Sequence, residues 1–108
     1  MIIMHKYLTV NDKLIAFTSQ PDGSWIATCT CNVLNCSIRF PLTADEVSQL
    51  LLPDSQRLLI QDILLNTSRW LREIFITGTT PAEFDLNVMG KLRPRRFYRK
   101  LGYEVWAD

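Results

Sequence analysis

Apolar residues alternate with polar ones along the first forty positions and then change period, and this change divides the chain. From His5 to Phe40, β-branched and aromatic residues are broken by turn chemistry, which predicts four short strands in an antiparallel meander. HKYLTV and KLIAFT meet at Asn11-Asp12, a pair that tolerates the positive φ of a two-residue hairpin, and Pro21-Asp22-Gly23 makes the next turn. Trp25 to Cys31 is the third strand. In the fourth, Cys36 to Phe40, Cys36, Ile38 and Phe40 face inward.

At Pro41 the spacing shifts towards 3.6 residues, the period of a helix. Thr43-Ala44-Asp45-Glu46 reads as a capping box, and the helix it starts should stop before Pro53. Asp54 or Ser55 can cap a second helix running to about Leu65, with Leu58, Leu59, Ile60, Ile63, Leu64 and Leu65 spread over more than one face. A third, Arg69 to Thr77, sets Trp70 over Ile74 and Leu71 over Phe75, with an Arg69–Glu73 pair outside and Gly78 as its left-handed cap. Thr80-Pro81-Ala82-Glu83 is a second capping box, opening a fourth helix that should bury Phe84 and Val88 and end at Gly90. A short helix from Pro94 to Leu101, Gly102 and a strand Tyr103 to Trp106 complete the pattern. The expected architecture is α+β: a four-stranded antiparallel meander, then three or four short helices packed on one face, then a C-terminal helix and strand that could join the sheet.

Composition changes this picture little. At 108 residues, with 47% hydrophobic and 21% charged positions, the chain suits a single folded domain, 1–108, made of a meander (1–40), a helical part (43–90) and a basic C-terminal segment (91–108). No apolar run reaches the roughly 20 residues that span a bilayer, and the first residues lack the pattern of a signal peptide. Three cysteines fit reduced thiols, so the expected location is the cytoplasm and the expected relation to membranes is none.

Charge is more informative, because the net +1 is unevenly spread. Residues 1–90 hold six Lys/Arg against nine Asp/Glu, whereas residues 91–108 hold six against two. If the segment is helical, Arg95, Arg96, Arg99 and Lys100 lie opposite Phe97 and Leu101; with Arg93 they are the candidate contacts for a partner protein or for nucleic acid. A basic segment folded onto an acidic body reads the same way.

Candidate chemistry is sparse. Four unclustered glycines make no phosphate loop, and the single histidine, His5, has no serine or cysteine arrangement that suggests a nucleophile, so no catalytic residues are assigned. Asp62, Glu73 and Asp85 are carboxylates in the central stretch that could converge as an acid/base set, although acids on amphipathic helices are usually solvated or serve as caps. Cys29, Cys31 and Cys36 are the weak metal candidates, with His5 the one available fourth ligand; core thiols without zinc are the expectation, and no cofactor is implied.

The stretch Ile60 to Asp85 resembles small uncharacterised proteins of phages and mobile elements that share the pattern I-Q-D, R-E-F-L-I-[ST]-G, x-x-P-x-x-[FW]-D. Ile60-Gln61-Asp62, Arg72-Glu73, Ile76-Thr77-Gly78, Pro81 and Phe84-Asp85 carry the resemblance, over about a quarter of the chain. Some look-alikes have a Cys-x-x-Cys pair at Thr80 and Glu83, completing a zinc site that this chain lacks. The resemblance implies a phage or mobile-element origin and no activity; the leading expectation is a non-enzymatic accessory protein that binds a host protein, such as an inhibitor of a host defence or regulatory protein. The alternative expectation is a small nucleic-acid-binding accessory protein using the basic segment. The apolar excess from Leu50 to Leu65 is expected inside the fold or across a homodimer. The ending Phe97-Tyr98-Arg99-Lys100-Leu101-Gly102-Tyr103 also resembles that of GNAT acetyltransferases, which implies a helix–glycine–strand unit; without the pyrophosphate loop of those enzymes it implies no acetyl transfer.

Overall fold

The computed structural model describes residues 2–103, and the expected strand Tyr103 to Trp106 therefore lies mostly outside the described residues. Four strands, β1 (His5–Val10), β2 (Lys13–Ser19), β3 (Trp25–Cys31) and β4 (Cys36–Leu42), form an antiparallel sheet in the order β1-β2-β3-β4. Asn11 and Asp12 both take positive φ, 45° and 70°, which gives the β1–β2 hairpin its tight turn. β4 runs two residues beyond Phe40, through Pro41, because a proline without an amide donor is tolerated at a sheet edge.

Register sorts the two faces. Ile15, Cys29 and Ile38 align across three strands, as do Phe17, Ala27 and Phe40, and all six are buried. The helices pack on this face: Phe75 stacks on Phe17 at 6.3 Å between ring centroids and meets Phe40 edge-on at 6.0 Å. The fold is thus α+β, with helices on one side of a meander.

After β4 come α1 (Ala44–Leu50), α2 (Ile60–Ile63), α3 (Arg69–Thr77), α4 (Pro81–Val88) and α5 (Arg95–Lys100). Both capping boxes form. Thr43 Oγ1 accepts the Glu46 amide while Glu46 accepts the Thr43 amide, and Thr80 and Glu83 repeat the exchange with Pro81 at the first helical position. Gly78 closes α3 at φ 78°, and a Cβ there would run into the Val10 carbonyl oxygen of the β1–β2 turn.

The second helix is corrected. In place of one helix from Asp54 to Leu65 there is a single 3₁₀ turn, Asp54–Gln56, then extended backbone at Arg57 and Leu59, then one helical turn in α2. Ile60, Ile63 and Leu64 are buried while Leu58, Leu59 and Leu65 are 56, 65 and 75% exposed. Leucines on all sides specify no single face to bury, and no side chain caps either short segment. The fourth helix also differs in what it buries: Pro81, Ala82 and Asp85 point inward, Phe84 is half-buried and Val88 is 64% exposed. Nor does Arg69 reach Glu73; its guanidinium lies over the Trp70 ring, 4.7 Å from the centroid, and no ion pair joins the two among the described residues.

Candidate functional site: an aromatic and guanidinium face on α3, α4 and α5

The basic segment is held to the body by two tyrosines and one carboxylate. Tyr98, buried on the inner side of α5, donates its hydroxyl hydrogen to Asp85 Oδ2 at 2.8 Å and accepts the Arg93 amide at 2.9 Å. Arg93 Nε donates to the same carboxylate oxygen at 3.2 Å. Asp85 is only 2% exposed, and these charge-assisted bonds compensate its loss of water. Tyr103 continues the arrangement, its hydroxyl accepting the Ala82 amide at 2.8 Å in the first turn of α4. Burial pushes the Tyr98 hydroxyl up to about 12 and raises that of Tyr103 further, so both remain protonated bridges at neutral pH.

Gly102 sets the angle at which this segment meets the sheet. Its φ is 104°, its carbonyl accepts the Arg39 amide at 2.8 Å, and a Cβ would run into the Arg39 carbonyl oxygen. Tyr103 then bridges to Ile38 of β4, so the helix–glycine–strand unit is present as far as the described residues extend.

On the outer side these anchors produce a ladder. The Arg93 guanidinium lies 4.7 Å from the Trp70 centroid and 4.7 Å from that of Phe97, with Arg69 at the same distance from Trp70. Trp70 and Phe97 meet edge-on at 5.8 Å, and Phe97 meets Tyr98 in the same way at 5.4 Å. Each such cation–π contact contributes roughly 0.5–1 kcal/mol at an exposed site. A groove of about 430 Å3 opens on one side of the ladder, walled by Arg69, Trp70, Glu73, Thr80, Pro81 and Phe84. A second concavity of about 300 Å3, lined by Arg93, Pro94, Arg96, Phe97 and Lys100, lies on the other.

Compared with known proteins, the chain matches no family model, no curated protein and no solved structure. The functional reading therefore depends on the residues themselves.

Of the five candidate contacts, Arg93, Arg96 and Lys100 line the second concavity. Arg93, Arg95, Arg96, Arg99 and Lys100 are all exposed, on α5 or just before it, with Tyr98 buried beneath them; the expected placement opposite Phe97 is corrected, since the half-buried Phe97 lies beside Arg93, Arg96 and Lys100. Of the carboxylates, Asp62 is exposed on α2, Glu73 walls the groove and Asp85 is taken up by Tyr98 and Arg93. Sequence reasoning passed over Asp85 and Tyr98 as anchors. The available signal was an acid three residues after Ala82, on the helix face that already carries apolar residues, followed by an arginine-rich run containing tyrosines.

The metal candidates are not brought together. Cys29 and Cys31 are buried on the inner face and Cys36, the register partner of Cys31, is half-buried at the hairpin end. His5 lies in β1 opposite Thr18, whose Oγ1 is 3.3 Å from its Nδ1, on the other face of the sheet. Cys31 Sγ instead accepts from Thr80 Oγ1 at 3.3 Å, while burial pushes the Cys29 thiol up to about 12. Among the described residues, no three His, Cys, Asp or Glu side chains are grouped to hold a metal. No helix among them is long and apolar enough to cross a membrane.

Proposed function

We propose that this is a non-enzymatic accessory protein that binds another protein through the face formed by α3, α4 and α5. The ladder Arg69–Trp70–Arg93–Phe97 carries this reading. It presents arginine and aromatic side chains, the residue types that dominate binding energy at interfaces, already held in place by Asp85 and Tyr98. Side chains ordered before binding lose less entropy on association. Attribution to a phage or mobile element rests on the resemblance of Ile60 to Asp85; that origin, a host defence or regulatory protein as target and the cytoplasm as the place of action are part of the proposal.

Nucleic-acid binding is the second reading, favoured by the exposed basic side chains of α5. It is the weaker one. Single-stranded nucleic acid is usually gripped by bases stacking on open aromatic faces, and here Trp70 already has guanidiniums from Arg69 and Arg93 against its ring.

Tagged full-length protein should capture a host protein from nuclease-treated extract of the natural source, and Arg93→Ala should reduce the yield. Retention only of nucleic acid, with capture lost on nuclease treatment, would replace the first reading with the second.

A further inference from the structure

The two concavities beside the ladder differ in character, and their order along the face specifies a kind of partner. At one end, Trp70, Pro81 and Phe84 make an apolar wall flanked by one cation and one acid, Arg69 and Glu73. At the other, Arg93, Arg96 and Lys100 surround Phe97. The two are contiguous, since Arg93, which lines the second, lies 4.7 Å from the ring of Trp70, which lines the first. Among the described residues, the lining of this second end holds three cations and no acid. The one carboxylate that meets Arg93, Asp85, is beneath the surface and binds through Nε.

We infer that this face docks a short acidic segment of a partner protein, with one large apolar side chain seated against Pro81 and Phe84 and neighbouring carboxylates held by Arg93, Arg96 and Lys100. The inference rests on the protein-binding reading and gives it a ligand class and a direction. Charge complementarity selects the occupant: guanidinium and ammonium groups at one end favour carboxylates, whereas at the other Arg69 and Glu73 offset each other beside the apolar seat. The acids therefore lie at the α5 end of the bound segment and the apolar anchor at the α3–α4 end. A nucleic acid would set phosphates along the whole face, Glu73 included, and would find the Trp70 ring already covered.

The test selects a displayed library of random peptides of about 12 residues on the full-length protein, with Arg96→Glu combined with Lys100→Glu as the counter-selection target. Both residues are exposed, and thermal unfolding of the double variant is measured to confirm that the fold is kept. The expected result is enrichment of peptides in which an aromatic or large aliphatic residue lies near two or more acids. Synthetic copies should bind the double variant about tenfold more weakly or worse, and should lose a similar factor when the apolar residue is changed to alanine. No enrichment, enrichment without acids, or binding indifferent to the double variant or to loss of the anchor would overturn the inference. So would tighter binding of single-stranded or duplex DNA of about 20 nucleotides than of any selected peptide. If the double variant still captures a host protein as well as the wild type, the acidic-segment site fails while the protein-binding function stands.

Discussion

Asp85 shows how one side chain can hold a surface in place. Its carboxylate ties α4 to Tyr98 and Arg93, and removing it leaves a buried tyrosine hydroxyl without its acceptor. Asp85→Ala should destabilise the protein by about 1–3 kcal/mol in a denaturant titration, with Arg93→Ala costing less because that side chain is 40% exposed and only its partner is buried. Aromatic positions should separate in the same way: Phe75→Ala should cost about 3–5 kcal/mol, and Phe84→Ala less, since Phe75 is buried between Phe17 and Phe40 whereas Phe84 walls an open groove. Glu83 provides a pH-dependent contribution. Burial raises its carboxyl, but the Thr80 amide and the Lys13 ammonium 3.0 Å away outweigh that and hold it below the ordinary 4.5. A depressed folded-state value means that the stabilisation is complete above pH 4.5 and fades as pH falls through the lower folded value. Replacing the group by Glu83→Gln should reduce stability at pH 7 and flatten the acid limb of the stability curve.

Among the elements, the clearest contrast is between α3 and the segment before it. Ser68 caps α3, Leu71, Ile74 and Phe75 define its inward side, and Gly78 ends it, so every local signal agrees and the predicted bounds match the structure. Between Pro53 and Leu65 the signals conflict: the leucines are helical in spacing but have no polar side, and packing takes only Ile60, Ile63 and Leu64. Changing Leu58, Leu59 or Leu65 singly to glutamine should shift stability by no more than about 0.5 kcal/mol, whereas Ile63→Ala should cost about 2–5 kcal/mol. Equal losses at all four positions, measured by chemical unfolding, would mean that the exposed leucines are covered in solution, as a homodimer would cover them.

Across the whole molecule, the inner face of the sheet is where distant parts of the chain meet. Phe75 of α3 lies on Phe17 and Phe40, Thr80 reaches Cys31, and Tyr103 links β4 to the start of α4. Cys29 and Cys31 sit under these contacts, so their reaction with a thiol reagent should follow global opening, while the half-buried Cys36 should react first. Labelling of all three at one fast rate in native buffer would show that the helices leave the sheet more readily than this packing implies.

Local chemistry was enough to specify the four strands, the Asn11-Asp12 hairpin, both capping boxes, the bounds of α3 and the position of the basic helix, because each depends on residues close together in the chain. The basic composition of the α5 surface was legible too, as an exposed run of Arg and Lys. Its arrangement was not. That Arg93 packs against both Trp70 and Phe97, that the buried Asp85 eight positions before it holds it there, and that His5 and the cysteines lie on opposite faces all depend on contacts between separate elements. The same holds for the leucines around α2. An all-round apolar pattern leaves the choice of buried side chains to whatever surface packs against it, here α1 and α3, and no window of a few residues contains that surface.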